Sequence, residues 1–180
     1  NLYGQLGNGN NTMSFTPVSV NLPAGRTATA LALGAHHSCA ILDNGSTMCW
    51  GYNNWGSLGN GNNTNSDTPV SVNLPAGRTA IALALGGTHS CAILDNEAVT
   101  CWGSNLDGQL GDGNNINSNS PVTVNLPAGR TATALALGSV HSCVILDDAS
   151  TMCWGRNDDG QLGDGTTTNS NTPVSVIYLL

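Results

Sequence analysis

The chain has 180 residues, a formal net charge of −7, four arginines and no lysine. Binding to a polyanion needs clustered cations, so this composition argues against DNA, RNA and anionic membrane surfaces as partners. No apolar run approaches the roughly 20 residues that cross a bilayer, so no membrane span is predicted.

A repeat of 52 residues organises the whole sequence. The triplet Cys-Trp-Gly at 49–51 returns at 101–103 and 153–155, and the loop Gly-Gln-Leu-Gly at 4–7 returns three times with one substitution. A fixed period of this size is typical of stacked or radially arranged units that bury their apolar surfaces against one another. We predict a partial repeat (a loop and an outer strand) and three complete units, at residues 1–24, 25–76, 77–128 and 129–180.

Each unit is predicted to hold four short antiparallel strands. In the first, residues 17–20 alternate and open with a proline, which suits the edge of a sheet. Residues 27–33 alternate small with larger side chains and are apolar on both faces, so this strand must lie between two other sheets. Residues 37–42 and 47–50 complete the set. No apolar stripe with helical spacing survives, and the sequence therefore predicts an all-β fold of β-propeller blades.

Six cysteines form three pairs with a spacing of ten residues. A three-residue loop centred on Asn44 places Cys39 opposite Cys49 on neighbouring strands. Opposed Cβ atoms lie about 4.5–5.5 Å apart in such hairpins, near the ~3.5–4.5 Å of a disulfide. One disulfide per unit is predicted, which indicates an oxidising compartment, either extracellular or at the cell surface. The alternatives are six reduced core cysteines or, with poorer ligand spacing, zinc. The predicted pairs are Cys39–Cys49, Cys91–Cys101 and Cys143–Cys153.

One histidine in each unit follows a glycine turn. A ring of such histidines could bind a metal or titrate together, but equivalent positions in neighbouring blades should lie too far apart for one ion. We expect each ring instead to bond neighbouring backbone and fix its turn. We expect His36, which has no counterpart in the other units, at the surface. The three repeated histidines are His37, His89 and His141.

The tryptophan of each Cys-Trp-Gly triplet is expected to be a buried anchor between blades, with stacking on a sugar as the alternative. Trp55 differs, because its equivalents are Tyr3, Asp107 and Asp159 and the fold does not require an aromatic residue there. It is a candidate for an exposed contact. The three anchors are Trp50, Trp102 and Trp154.

Two loops, at 107–113 and 158–165, resemble acidic calcium loops. Calcium needs six to eight oxygen ligands and usually several closely spaced carboxylates. The position of Asp112 is asparagine in two other copies, Asn60 and Asn8, so the scaffold does not require a carboxylate there. We expect turns closed by Asx side chains, and we predict no metal site.

No arrangement in the sequence resembles a catalytic set. No serine lies in a nucleophile elbow, no carboxylate pair stands out from the repeat, and the glycine-rich loops lack the lysine of a phosphate cradle. The chain is therefore predicted not to be an enzyme and to need no cofactor. Three loop positions match the pattern Asn-Xaa-Ser/Thr and are candidate glycosylation sites, namely Asn10, Asn44 and Asn62.

The repeated motifs resemble those of the regulator of chromosome condensation repeat family. The resemblance lies in Gly34 with His37-Ser-Cys-Ala-Ile-Leu42, then Cys49-Trp50-Gly51, then Gly56-Ser-Leu-Gly59, and it covers essentially the whole chain. It implies seven-bladed β-propellers, here similar to a secreted, cysteine-bearing bacterial branch. Members of that family include guanine-nucleotide exchange factors for a small GTPase and a secreted inhibitor of β-lactamase. No functional residue of either maps onto this sequence by motif.

Three blades cannot close a seven-bladed ring, so the chain is either a fragment of a longer repeat protein or exposes blade faces that pair with other copies, since unpaired faces drive association. The sequence thus predicts an extracellular structural or protein-interaction propeller module, which in the second case self-assembles into a larger ring or a filament. The predicted partners are a protein, further copies of the chain, or glycans, and no nucleic acid. The alternatives are a carbohydrate-binding propeller and, with less support, an exchange factor or an enzyme.

Overall fold

The computed structural model describes residues 1–177, which form three four-stranded antiparallel sheets. Within this range no helix has the length and hydropathy needed to span a membrane. In each sheet the strands follow in chain order, and each is hydrogen-bonded to the next. This confirms the all-β prediction of propeller blades with four antiparallel strands. Blade 1 contains β1 (Ala28–Leu33), β2 (His37–Leu42), β3 (Thr47–Gly51) and β4 (Ser66–Ser71); blade 2 contains β5 (Ala80–Leu85), β6 (His89–Leu94), β7 (Val99–Gly103) and β8 (Ser118–Thr123); blade 3 contains β9 (Ala132–Leu137), β10 (His141–Leu146), β11 (Thr151–Gly155) and β12 (Ser170–Ser175).

The central hairpin of each blade closes with a tight turn that needs a left-handed residue. In blade 1 this residue is Gly45, with φ of 81°, and its amide donates to the carbonyl of Leu42 at 2.9 Å. The equivalent residues are Glu97 and Ala149, whose φ values are 64° and 65°. Side chains disfavour this conformation, so the second and third hairpins carry backbone strain that the first avoids.

The blades stack face to face through strands that are buried on both sides. Cys39 and Ile41 of β2 join a core cluster with Ala92 and Leu94 of blade 2. Ala40 alternates with them and belongs to a separate cluster on the other side of the sheet. We call the face toward the following blade the back face and the face toward the preceding blade the front face. The alternation shows that both faces of β2 are core surfaces. The strand predicted from residues 27–33, β1, is not buried on both faces, because no blade covers its front face among the described residues and Leu31 and Leu33 are 66% and 72% exposed there.

The strand predicted at residues 17–20 does not form. The outer strand of a blade bonds to the third strand of its own sheet, as β4 does to β3, and no third strand precedes residue 17. The segment instead packs on the front face of blade 1, where Val20 and Leu22 contact a cluster that contains Leu42 and Trp50. The predicted outer strand of residues 1–24 is therefore wrong. The boundaries at residues 24, 76 and 128 stay a prediction.

Candidate functional site

A hydrogen-bonded clasp joins three segments at each blade boundary. At the first boundary, the carbonyl of Ser57 accepts the indole Nε1–H of Trp102 at 2.9 Å and the hydroxyl of Ser90 at 2.9 Å. His37 lies 2.7 Å from the same hydroxyl through Nε2. Because the only hydrogen of Ser90 goes to the carbonyl, His37 donates from Nε2. The clasp thus ties blade 1, the connecting loop and blade 2 together.

The clasp recurs at the second boundary with His89, Ser142, Trp154 and the carbonyl of Gln109. The histidines therefore serve the blade boundaries, as expected of structural residues. Their partner differs from the expected one, because the rings of His37 and His89 bond a serine of the next blade and not neighbouring backbone. His141 has no such serine within residues 1–177. No group of three or more metal-ligating side chains occurs among residues 1–177.

Burial keeps the clasp histidines neutral. Burial, reinforced by the nearby His36, lowers the pKa of His37 to about 4. Burial also lowers the pKa of His89 to about 3, with further contributions from His37 and His141. The Nδ1 atoms of His37 and His89 are buried without a hydrogen-bond partner. A proton added to either ring would therefore be both desolvated and unpaired.

The tryptophans of the triplets are buried anchors, as predicted. Their packing explains the recurring glycine loops. A Cβ added to Gly59, which has φ of 66°, would lie 2.8 Å from Nε1 of Trp102. Only a glycine lets the loop backbone approach the indole ring this closely. Trp55, in contrast, is 38% exposed, as the sequence suggested.

The structure joins each predicted cysteine pair, with Cα–Cα distances of 4.0–4.1 Å. The first two disulfides are fully buried, and both contribute to the core between adjacent blades. The third differs because Cys143 is only half-buried. Its sheet has no following blade among the described residues.

A set of asparagines that was not predicted organises the connecting loops, and three of its four members are buried. The amide nitrogen of Asn53 donates to the carbonyls of Asn62 and Thr64, both at 3.0 Å, while its Oδ1 accepts the amide of Leu58 at 2.9 Å. Each copy closes a loop that would otherwise leave backbone groups unpaired. The available signal was an asparagine that never varies in four copies, although the residue two positions later does. The equivalents are Asn1, Asn53, Asn105 and Asn157.

The acidic loops adopt the Asx turns that the sequence suggested. Asp112 accepts from the amide nitrogen of Asn105 at 3.2 Å and from the backbone of Asn114 at 3.3 Å. Asp164 likewise accepts the backbone amide of Thr166 at 3.0 Å. These contacts lower the pKa of Asp164. The carboxylates therefore complete turns.

The three candidate glycosylation residues share one geometry. Asn10, Asn44 and Asn62 are exposed, and the Oδ1 of each accepts the backbone amide two residues later at 2.9–3.1 Å. Their Nδ2 atoms donate to no protein group within residues 1–177. Each amide nitrogen is therefore accessible, and glycosylation at these residues stays a prediction.

The back face of blade 3 is an open core surface. Ile145 is 43% exposed there, whereas its equivalents Ile41 and Ile93 are 6% and 2% exposed. Together with the half-buried Cys143, it lines an apolar hollow that also includes Ala134. The residues are of the same type as those that bind the next blade elsewhere in the chain.

Three aromatic residues that do not repeat meet at the front end of the molecule. Tyr3 contacts Tyr52 and His36 edge to face, with ring centroids 4.9 Å and 5.8 Å apart. His36 and Tyr52 complete the triangle at 6.1 Å. His36 lies exposed, as expected, and its part in this cluster was not predicted.

Stacked four-stranded blades, joined by loops that carry a conserved pattern of contacts within the chain, define a β-propeller segment. The sequence matches the model of the regulator of chromosome condensation (RCC1) repeat over residues 1–41, 44–93, 98–145 and 152–180, and a second model of that repeat over 28–57, 80–109 and 132–161. The chain belongs to the RCC1 repeat family.

Known proteins with similar sequences are much longer than this chain. The human E3 ubiquitin-protein ligase HERC2 is 30% identical over 97% of the chain, which corresponds to 4% of HERC2. The ultraviolet-B receptor UVR8 of Arabidopsis thaliana is 28% identical over 95% of the chain and 39% of UVR8. The chain thus spans well under half the length of these relatives.

Solved structures share the fold. Human WBSCR16 superposes with a TM-score of 0.88 at 21% identity, over 98% of this chain and 46% of WBSCR16. Prp20p of Saccharomyces cerevisiae superposes with a TM-score of 0.73 at 24% identity, over 86% of this chain and 37% of Prp20p. The yeast protein has been solved with Kap60 bound and described for its binding to Gsp1p and histones.

Proposed function

We propose that this chain is an extracellular protein-interaction propeller module without catalytic activity, and that it binds through open blade faces. Its similarity to Prp20p, which binds other proteins, supports the interaction role. The repeated contacts serve packing, and the described residues contain no cluster of metal ligands. An exchange-factor role has no supporting residue in this chain.

The open back face of blade 3 carries this proposal. Ile145 is 43% exposed on this face, whereas the equivalent residues of blades 1 and 2 are covered by a neighbouring sheet. The back face of blade 3 therefore has the side chains of a surface that binds another blade. The clasp is also incomplete there. His141 has no serine opposite it, and the carbonyl of Gln161 receives neither an indole nor a hydroxyl within residues 1–177.

We propose that a second copy of this chain covers the back face of blade 3. At the opposite end of the chain, Leu31 and Leu33 on the front face of blade 1 are 66% and 72% exposed. Their equivalents Leu83 and Leu85 pack against the preceding blade in the first core cluster. The two open faces are therefore complementary by the same geometry that joins blades 1 and 2. Such head-to-tail contacts build rings or filaments.

Analytical ultracentrifugation across a range of concentrations tests this assembly, with electron microscopy to distinguish a ring from a filament. Wild type is expected to associate, and Ile145→Asp is expected to remain monomeric because a carboxylate would be buried in the contact. Leu106→Asp is the matched control, since Leu106 is also exposed but lies outside both open faces. A strictly monomeric wild type at all concentrations would refute the assembly.

The three disulfides support an extracellular or cell-surface location, because disulfides persist in oxidising compartments. Alkylation without reductant of the freshly isolated protein under denaturing conditions, which expose every buried thiol, followed by mass spectrometry, tests the location. We expect no cysteine to be alkylated, because all six are paired. Full alkylation of all six would argue for a reducing compartment.

Carbohydrate recognition is a second candidate function. The observation that favours it is Trp55, which is partly exposed at a position where two other copies of the repeat have aspartate. A glycan array with wild type and Trp55→Ala tests it. Wild type is expected to bind at least one glycan and the variant to lose that signal; an array that stays blank for wild type would exclude this function.

A further inference from the structure

A small polar cleft lies beside the aromatic triangle, between the N-terminal loop and the start of β4. We call it the Tyr3 cleft; it is lined by Leu2, Tyr3, Asn11, Asn65, Ser66 and Asp67. The cleft has a volume of about 240 Å³, just below the roughly 300–1,000 Å³ of pockets that take drug-sized ligands. It therefore has room for a single ring of a longer ligand.

The polar groups of the cleft are available to a ligand. In the described part of the chain, no protein group bonds the side chains of Asn11 or Asp67, and no cation pairs with Asp67. The Oδ1 of Asn65 accepts the amide of Asn53 at 2.7 Å, which leaves its Nδ2 free to donate. The cleft thus offers both donors and acceptors at one place.

The equivalent groups at the blade 2–blade 3 boundary are already satisfied by one another. Asp107 replaces Tyr3 there and lies 3.4 Å from the amide nitrogen of Asn169, the counterpart of Asn65. The amide of Asn171 donates to Asn115, the counterpart of Asn11, at 3.0 Å. At that boundary the cleft groups therefore bond one another, whereas the corresponding groups beside Tyr3 do not.

The aromatic triangle holds the ring of Tyr3 in place beside these polar groups. Its three members come from different segments: the N-terminal loop, the β1–β2 turn and the β3–β4 loop. The fold requires none of them, because His36 is replaced by threonine or valine and Tyr52 by serine or arginine in the other units. Their convergence is a feature of this one site.

We infer that the Tyr3 cleft binds one ring of a neutral saccharide. An aromatic ring presents an apolar surface to the C–H face of a sugar, while amides and a carboxylate pair with its hydroxyl groups. Anionic sugars are disfavoured because all four arginines are paired with aspartates outside the cleft. This inference deepens the carbohydrate-binding candidate and names a site distinct from Trp55.

The test uses three neutral hexasaccharides: β-1,4-linked glucose, mannose and N-acetylglucosamine. Isothermal titration calorimetry is run on wild type, Asn11→Ala, Tyr3→Ala and Tyr3→Phe. At least one hexasaccharide is expected to bind, with affinity reduced about 10-fold or more in Tyr3→Ala and retained in Tyr3→Phe, which keeps the ring. Asn11→Ala tests the cleft independently, since that exposed side chain makes no bond within the described chain and its loss should not affect folding. Asp107→Ala is the matched control and is expected to bind as wild type does.

Three outcomes would overturn the inference. In the first, Trp55→Ala abolishes binding while Tyr3→Ala and Asn11→Ala do not; the carbohydrate function would then stand and the Tyr3 cleft would fail. In the second, no neutral hexasaccharide binds; the Tyr3 cleft then fails, and the glycan array decides the carbohydrate function at Trp55 separately. In the third, sulfated glycans bind more tightly than neutral ones, which the charge of the cleft forbids.

Discussion

Mild acid is expected to destabilise this protein through the two clasp histidines. An unfolded histidine has a pKa near 6.5, whereas burial lowers the pKa of His37 to about 4 and that of His89 to about 3. Below pH 6.5 the unfolded chain therefore binds protons that the folded protein excludes. The stabilising contribution is complete above pH 6.5 and is lost as the pH falls toward 4 and 3.

The loss is large enough to measure. With these pKa values, the unfolding free energy decreases by about 2 kcal/mol per histidine when the pH falls from 7 to 5, or by about 4 kcal/mol for both. Domains of this size have total stabilities of roughly 5–15 kcal/mol. Carboxylates with lowered pKa values, such as Asp148 and Asp164, lose their contribution only at more acidic pH. The window from pH 7 to pH 5 therefore isolates the histidines.

Urea unfolding of wild type, His37→Gln, His89→Gln and the double variant at pH 7, 6 and 5 provides the assay. Glutamine keeps a donor for the serine but does not titrate, so the two single variants should each remove a large and similar share of the pH dependence, and the double variant most of it. Burial also lowers the pKa of the half-buried His141, and its contribution should remain in the double variant. His36→Gln removes only the minor contribution of His36 to the lowered pKa of His37, so it should reduce the pH dependence slightly and serves as the reference for a histidine outside the clasp. Equal stability of wild type at pH 7 and pH 5 would refute the reasoning, as would an unchanged slope in the double variant. NMR titration of the histidine rings gives the same answer in the wild type if a variant does not fold.

Three further predictions concern the turns, the loops and the disulfides. Ala149→Gly should raise the unfolding free energy by about 0.5–1 kcal/mol, because glycine adopts the left-handed conformation without the strain of an alanine. Gly45→Ala should lower the unfolding free energy by a similar amount. Chemical denaturation measures both changes, and a destabilising Ala149→Gly would contradict the assigned turn. Gly59→Ala should lower the unfolding free energy by more than about 2 kcal/mol, because the added Cβ would meet Trp102. Gly77→Ala should lower it by only about 1 kcal/mol, because Gly77 has φ of 72° but open space around it. Equal losses of stability in thermal unfolding would argue against the close approach of Gly59 to Trp102. Graded reduction of the monomeric Ile145→Asp variant, followed by alkylation and mass spectrometry, should open Cys143–Cys153 before the two buried disulfides. Simultaneous opening of all three in this variant would contradict the exposure of the back face of blade 3.

The repeating part of this structure was predictable because each repeat supplies the same local chemistry several times. Cys39 and Cys49 face one another because a three-residue loop sets the register of their hairpin, and the structure pairs them as the spacing suggested. The prediction of a strand at residues 17–20 was wrong because a strand forms only beside a partner strand, and the local sequence pattern does not reveal whether a partner is present. The serine partners of the clasp histidines were missed for a related reason, since His37 and Ser90 are 53 residues apart and meet only when blades stack.

The residues that depart from the repeat carry the information about ligands, because the fold explains the ones that recur. From the sequence, Trp55 stood out in this way as a candidate contact, and His36 stood out only as a surface residue without a counterpart. Tyr3, His36 and Tyr52 are equally exceptional, but they lie in three separate segments whose meeting point depends on how loops fold over blade 1. Superposition of equivalent positions from the different blade boundaries in three dimensions shows such a site as the place where one boundary departs from the others. The same comparison supplies its own control, since Asp107 occupies the place of Tyr3 in a boundary where the cleft groups bond one another.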